Sequence, residues 1–305
     1  MTRRRWFLAA ALALCACLAT ATARTAAPVL SFGVIADVQY RDADPQGTRF
    51  YRDSRAKLEQ AIESLNAATP AFVVQLGDLI DGAFLSYDIV VPIYDRLKSP
   101  HYHVLGNHDV AVEPERQRGV LQRLGLDRLG AGRGYYDFTR SGWRFIVLNG
   151  DDLSVQAYAT GSPERAASER VLADLRASGA KNATQWNGGL AREQLDWLKR
   201  TLARADASHE RAIVFCHFPV FPAGDSTLWN DRDVTAILET SPSVVAYFCG
   251  HKHEGGYAAR NGIHYVNLKG MVEGRETAYA VVELYADSMK INGYGREESR
   301  TLAVR

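Results

Sequence analysis

The chain is poor in the residues that mark several large classes of protein. It has four cysteines in 305 residues, and two of them, Cys15 and Cys17, fall close to its start. The remaining pair, Cys216 and Cys249, is too small a set for the disulfide framework of a stapled secreted scaffold. A surplus of one charge is missing as well, since 36 Lys+Arg against 35 Asp+Glu leave a net +1. That balance provides neither a nucleic-acid footprint nor an acidic tail. There is no internal repeat, no low-complexity linker and no phosphate-cradling glycine loop of the P-loop kind. What remains is ordinary globular composition, 47% hydrophobic and 23% charged. The length suffices for one large α/β domain with a full core, or two small ones.

The start of the chain differs from the rest. Arg3, Arg4 and Arg5 precede an uncharged Ala/Leu-rich run over residues 6–18, and Ala19-Thr20-Ala21 and Ala21-Thr22-Ala23 both suit signal-peptidase cleavage. Residues 1–23 therefore read as an export signal, too short to span a bilayer. Arg4-Arg5-Trp6-Phe7-Leu8 fits the twin-arginine pattern, so a periplasmic or secreted protein is expected, by that route or the general secretory one. Leu14-Cys15-Ala16-Cys17 is a poor lipobox, which makes a lipid anchor at Cys17 the lesser reading. Without the three arginines the net charge moves from +1 to −2, and no membrane span remains.

Residues 24–305 read as one α/β domain. Buried strands are expected over 30–36, 71–77 and 102–105. Between them lie an amphipathic helix carrying Leu58, Ile62 and Leu65 and a second helix around 89–97. Strand, helix and strand in alternation predict right-handed parallel crossovers and a sandwiched sheet. A hairpin follows over 135–139 and 143–149, and Leu195, Leu198 and Leu202 mark a further core-facing helix. Runs over 263–268, 278–285 and 289–294 are expected to close the chain as antiparallel strands. The polar stretch 151–187, with a helix over 163–177, reads as a surface insertion.

The informative feature is an ordered series of five polar blocks at strand ends. They are Asp37-Val38-Gln39, Gly77-Asp78-Leu79-Ile80-Asp81, Gly106-Asn107-His108-Asp109, Cys216-His217 and Gly250-His251-Lys252-His253. Taken singly each is weak: Asp-x-Gln is usually a solvated loop and Gly-Asp a turn. Five in this order at the carboxyl ends of strands, where open α/β sheets build their sites, point to a pair of divalent cations. Asp78 is the natural bridge, and Asp37, Gln39, Asn107, His217, His251 and His253 supply the other donors. Carboxylate, amide oxygen and imidazole suit manganese, iron or zinc and do not suggest a thiolate site. Cys216 and Cys249 each precede a block; small buried packing and a disulfide both stay open, because geometry decides between them. His101 and His103 alternate on the strand leading to Asn107 and read as core or rim packing.

These blocks resemble the signature of the calcineurin-like metallophosphoesterases, over about residues 30–295. The resemblance implies two packed mixed β-sheets flanked by helices. It also implies one ion held by Asp37, Gln39, Asp78 and His253 and another by Asp78, Asn107, His217 and His251. Gln39 stands where most of that superfamily has His, and Asp81 where purple acid phosphatases carry a Tyr ligand. The Gln variant, with Trp229-Asn230 and the stretch around Gly255, Gly256 and Tyr257, looks like the manganese-dependent ADP-ribose/CDP-alcohol diphosphatases. Two ions at such a centre clamp an in-line displacement at phosphorus by an activated hydroxide. His108 is then expected to serve the leaving group, with Asp109 orienting its imidazole.

Substrate contacts are less sharply drawn. Arg49, Tyr51 and Arg52 suit a distal phosphate or sugar, or simply open a helix with solvated arginines. Tyr40, Trp229 and Tyr257, with Asn230, suit contact with a base or pack as ordinary loop residues. Three functions fit the pattern. The first is a hydrolase of phosphoanhydride bonds in small nucleoside-diphosphate substrates. The second is a less selective exported phosphodiesterase or phosphomonoesterase, and the third a metal-stabilised scaffold that binds a partner.

Overall fold

A computed structural model describes residues 27–304, so the export signal expected over 1–23 lies outside the described residues. In chain order the first half contains β1 (Leu30–Ile35), α1 (Asp53–Ala68), β2 (Phe72–Gln75), α2 (Tyr87–Tyr94), β3 (His101–His103), α3 (Asn107–Val110), α4 (Val120–Arg123), β4 (Tyr136–Arg140) and β5 (Trp143–Val147). The second half adds α5 (Pro163–Ala177), α6 (Arg192–Ala207), β6 (Arg211–Phe215), α7 (Asp231–Thr240), β7 (Val244–Cys249), β8 (Glu254–Arg260), β9 (Ile263–Lys269), β10 (Ala278–Leu284), β11 (Ser288–Gly295) and β12 (Arg300–Ala303). Among the described residues no helix is long and apolar enough to cross a membrane.

The strands form two six-stranded mixed sheets, ordered β12-β11-β10-β1-β2-β3 and β4-β5-β6-β7-β9-β8. In the first, β1, β2 and β3 are parallel and β10 runs antiparallel to β1. In the second, β5, β6, β7 and β9 are parallel, with β4 and β8 antiparallel at the edges. β9 departs from the expected antiparallel close: it lies parallel to β7, while β10 and β11 return to the first sheet. The reason is that β8 takes the edge and forms a tight hairpin with β9, so β9 enters beside β7 in the direction of β7.

The sheets are glued by phenylalanines. Phe32 and Phe72 of the first sheet meet Phe145, Phe215 and Phe248 of the second, all fully buried, with centroids between 4.8 and 6.0 Å. Edge-to-face geometry adds about 0.5–1.5 kcal/mol per pair beyond the area buried. Helices cover the outer faces: α1 turns Leu58, Ile62 and Leu65 onto the first sheet, and α6 turns Leu198 and Leu202 onto the second. Within residues 151–187, α5 starts at Ser162, whose hydroxyl accepts from the Arg165 amide, and Pro163 opens its first turn. Its Leu172 packs on Val155 and Trp229 in a small cluster of its own. Among the described residues Cys216 and Cys249 are free, buried thiols that pack and do not pair with each other.

Candidate metal centre

Five parallel strands, three from one sheet and two from the other, deliver the blocks to a shared edge. Asp37 and Gln39 follow β1, Asp78 follows β2, Asn107 follows β3, His217 follows β6, and His251 and His253 follow β7. Donor atoms of Asp78, His217 and His251 all lie within 4.8 Å of one another. Asp78 Oδ2 is 3.2 Å from His217 Nε2 and accepts from Gln39 Nε2 at 3.0 Å. His253 Nε2 sits 3.2 Å from Gln39 Nε2 and 3.4 Å from Asp37 Oδ1. Gln39, Asp78, Asn107, His108, His251 and His253 line one open cavity of about 670 Å³, with Arg49 and Glu273 at its side. All seven sequence-derived donors thus fall in a single cluster.

The local backbone is bent to reach it. Asp37, Gln39, Asp78 and His251 have φ of 51°, 43°, 57° and 68°, the left-handed region that side chains disfavour. Such conformations cost about 1–3 kcal/mol each and persist where a site needs them. The glycines of the blocks have a packing reason: a Cβ on Gly106 would overlap the Asp78 carboxylate, and one on Gly250 the Asp37 carboxylate.

Cations fit these residues. Among the described residues Gln39 Oε1 and Asn107 Oδ1 are buried without a hydrogen-bond partner, an arrangement that costs about 1–3 kcal/mol unless something is bound. The donor set of carboxylate and amide oxygens with imidazole nitrogens suits divalent manganese, iron or zinc. Protons occupy the same ground when cations do not. Burial alone would lower His217 and His253, but Asp78 raises the first to about 10 and Asp37 the second to about 9. Both lie above the ordinary 6.5, so they stabilise the cation-free fold fully below pH 6.5 and cease to do so as pH rises through 9 and 10. Manganese must displace these protons and so gains in the same window. We expect the cation-free melting temperature to fall between pH 6.5 and 9 while the increment given by manganese grows, measured by scanning calorimetry. An increment independent of pH would refute this competition.

Outer hydrogen bonds fix which nitrogen of each histidine faces inward. His217 Nδ1 donates to the Leu76 carbonyl at 2.9 Å, and His253 Nδ1 meets Glu273 Oε1 at 2.6 Å. His108 Nδ1 meets Asp81 Oδ1 at 2.5 Å. This corrects the expected role of Asp109, which does not touch the His108 ring. Its carboxylate accepts instead from the backbone amides of Asp78 at 2.7 Å, Leu79 at 3.0 Å and Gly106 at 3.1 Å, and from the Tyr87 hydroxyl at 3.1 Å. Starting α3 beside the Asp78 turn puts the two loops within reach of one buried acid. Asp109→Ala strands those donors, and we expect a loss of about 3 kcal/mol or more in urea unfolding. A loss under about 1 kcal/mol would show that the clamp is not structural.

Residues 30–255 match the family model for the calcineurin-like phosphoesterases. The chain belongs to this family. It is 33% identical to the Homo sapiens protein named manganese-dependent ADP-ribose/CDP-alcohol diphosphatase, with 90% of this chain and 92% of that one covered. Among solved structures it is similar to a dimetal phosphatase from Danio rerio, with a TM-score of 0.83 at 30% identity, covering 91% of this chain and 100% of that one. A purple acid phosphatase from yellow lupin shares the fold, with a TM-score of 0.57 at 11% identity over 90% of this chain and 53% of its own.

On this phosphoesterase frame the candidate substrate residues separate. Arg49 lines the cavity, its Nε 3.6 Å from Glu273. Arg52 does not: its guanidinium holds Asp42 and Asp44 at 2.5 and 2.6 Å, out in solvent. Tyr51 is buried and donates to Gln46 Oε1, and Tyr40 packs against the core. Trp229 is buried, its indole N–H donating to the Thr184 carbonyl, so it has no face to offer a base. Asn230 grips both backbone groups of Leu190. Tyr257 lies in a neighbouring pocket with its hydroxyl 3.0 Å from His264 Nδ1. Apart from Arg49 and Tyr257, which is exposed on β8, these side chains are spent on packing or on holding a loop. The cavity wall instead contains residues that the motifs do not name, Gln156, Trp186, Asp225, Ser226 and Glu254, together with Lys252 from inside the last block. Trp186 is half exposed, and its one signal in the sequence is an aromatic in a polar loop.

Proposed function

We propose that the chain is a dinuclear-metal hydrolase, manganese-dependent, that cleaves the phosphoanhydride bond of ADP-ribose-like or CDP-alcohol-like compounds. The observation that carries the reading is the convergence of seven donors from five strand ends in one cluster, five of them lining its cavity, with Gln39 in the first block. The naming of relatives that match nine-tenths of the chain supports the substrate class. Asp37, Gln39, Asp78 and His253 would hold one cation and Asp78, Asn107, His217 and His251 the other. When bound, such a pair neutralises phosphoryl charge and acidifies a water for attack at phosphorus.

The protein's own groups do the rest. Arg49 brings a guanidinium to the cavity wall, where a second, non-reacting phosphate needs a counter-charge. Lys252, between the two histidines of its block, lines the same wall. His108, with Nδ1 committed to Asp81, keeps Nε2 for the leaving oxygen. Trp186 on the rim offers an aromatic face to a base. Protein lacking residues 1–23, supplied with manganese, is expected to turn over ADP-ribose or CDP-choline at least about tenfold faster in kcat/KM than p-nitrophenyl phosphate, a gap of ~1.4 kcal/mol. Equal rates would favour the less selective phosphoesterase. No turnover of any of them would leave the binding scaffold as the better account. Export belongs to the same proposal and rests on the arginine-led apolar run of residues 1–23. Arg4→Lys with Arg5→Lys should hold the protein in the cytoplasm of a bacterial host if the twin-arginine route is used.

A further inference from the structure

Three histidines around the cavity have one ring nitrogen tied outward, each through Nδ1: His217 to a carbonyl, His253 to Glu273 and His108 to Asp81. His251 is turned the other way. Its Nδ1 faces inward, 3.2 Å from His217 Nε2, and its Nε2 points out to Asn187 Oδ1 at 3.0 Å. Asn187 is the last residue of the 151–187 segment and is fully buried.

The amide of Asn187 has only one way to face. Its Nδ2 donates to the Asp225 carbonyl at 2.6 Å and to the Asn182 carbonyl at 3.1 Å. Turning the group over would set Oδ1 against two carbonyl oxygens and Nδ2 against the ring, so the oxygen must face His251. An amide oxygen accepts and cannot donate, which requires the proton of neutral His251 to sit on Nε2 and leaves the Nδ1 lone pair for the cavity. The anchor is firm, because Asn182 Nδ2 donates to the Leu228 carbonyl at 2.6 Å and Thr184 accepts from Trp229. The loop at 182–187 is thereby pinned to the loop at 225–229.

We propose that Asn187 is a positioning residue that fixes the Nε2–H tautomer and ring direction of His251, and that the 151–187 segment exists in part to supply it. This rests on the dinuclear reading of the site. It explains why Trp229 and Asn230 are spent on loop contacts: they hold the platform that carries Asn187. Outer-sphere partners of this kind are worth roughly 10- to 100-fold in metal affinity.

The test pairs two substitutions with two readouts. Histidine side-chain nitrogen-15 spectra of the cation-free wild type should show His251 protonated at Nε2, and the Nδ1–H form there would overturn the proposal without any variant. Manganese binding followed by electron paramagnetic resonance should weaken roughly 10- to 100-fold in Asn187→Leu. Asn187→Asp keeps the acceptor for His251 but sets its other oxygen against the Asp225 and Asn182 carbonyls, so it should recover only in part, binding manganese about threefold or more tighter than Asn187→Leu. If Asn187→Asp is as weak as Asn187→Leu, the residue merely holds its loop and the proposal fails. Wild-type protein that binds no manganese would instead sink the dinuclear reading itself, a separate outcome.

Discussion

Asp78→Asn is expected to lower kcat/KM by at least about a thousandfold, some 4 kcal/mol of lost transition-state stabilisation, with manganese saturating. The size follows from where the carboxylate sits. Its Oδ2 faces Gln39 Nε2 at 3.0 Å on one side and His217 Nε2 at 3.2 Å on the other, so one oxygen addresses both halves of the donor cluster. Its Oδ1 is already committed to the His108 backbone amide at 2.8 Å. Asn keeps the shape and that second bond but removes the negative charge at the position proposed to bridge the two cations. The charge matters because burial alone would raise the Asp78 pKa, whereas His217 and His108 hold it well below the carboxylate range. The variant should bind no more than one manganese per chain by metal analysis after gel filtration. Its melting temperature should rise less on manganese addition than that of wild type. Two tightly held ions, or turnover within tenfold of wild type, would remove Asp78 from the bridging role.

Much of this centre is readable in the chain because parallel strands buried on both faces leave a strong record. The apolar runs before Asp37, Asp78, His217 and His251 are β1, β2, β6 and β7, and the polar blocks after them mark the sheet edge without ambiguity. Helices with a clean stripe, such as α1 with Leu58, Ile62 and Leu65, are equally legible. β8 escapes because Glu254–Arg260 is an exposed edge strand with two glycines and almost no buried face. α7 escapes for a different reason. Its Val234, Ile237 and Leu238 do have helical spacing, but the helix is ten residues long and sits in a segment read mainly for its Trp-Asn motif.

The outer partners of the donors are hidden for a deeper reason. Asp81, Asn187 and Glu273 lie on loops from three separate parts of the chain, and their contacts with His108, His251 and His253 depend on loop paths that no periodicity encodes. Adjacency misleads at Asp109: next to His108 in sequence, it turns its carboxylate into the Asp78 turn and away from that ring. Lys57 shows the same limit. It is buried on the core-facing side of α1, its pKa lowered to about 8 by burial, and donates to the carbonyls of Met271, Val272 and Gly274. That lysine holds the loop bearing Glu273, a task that a charged residue in an amphipathic helix does not announce.

The Asp81–His108 pair changes what a test of leaving-group chemistry should contain. Cleaving a pyrophosphate expels a phosphomonoester, whose conjugate acid has a pKa of about 6. An alkyl alcohol is a far poorer leaving group and needs its proton supplied. General acid assistance is worth about 10²–10⁴-fold where it is needed. His108→Ala should therefore cost alkyl phosphodiesters about a hundredfold or more and ADP-ribose or CDP-choline no more than about tenfold. Asp81→Asn should follow the same ranking with smaller losses, since the amide can still orient Nδ1 but no longer steadies the charged ring. The imidazole is raised above its ordinary value against the cost of burial, through Asp78 and then Asp81. Loss of Asp81 should accordingly move the alkaline limb of the alkyl-diester profile to lower pH. Asp109→Ala should lose stability without altering that ranking. If His108→Ala slows both substrate classes equally, the residue stabilises the phosphoryl group rather than the leaving oxygen, and Asp81 is then its electrostatic anchor only.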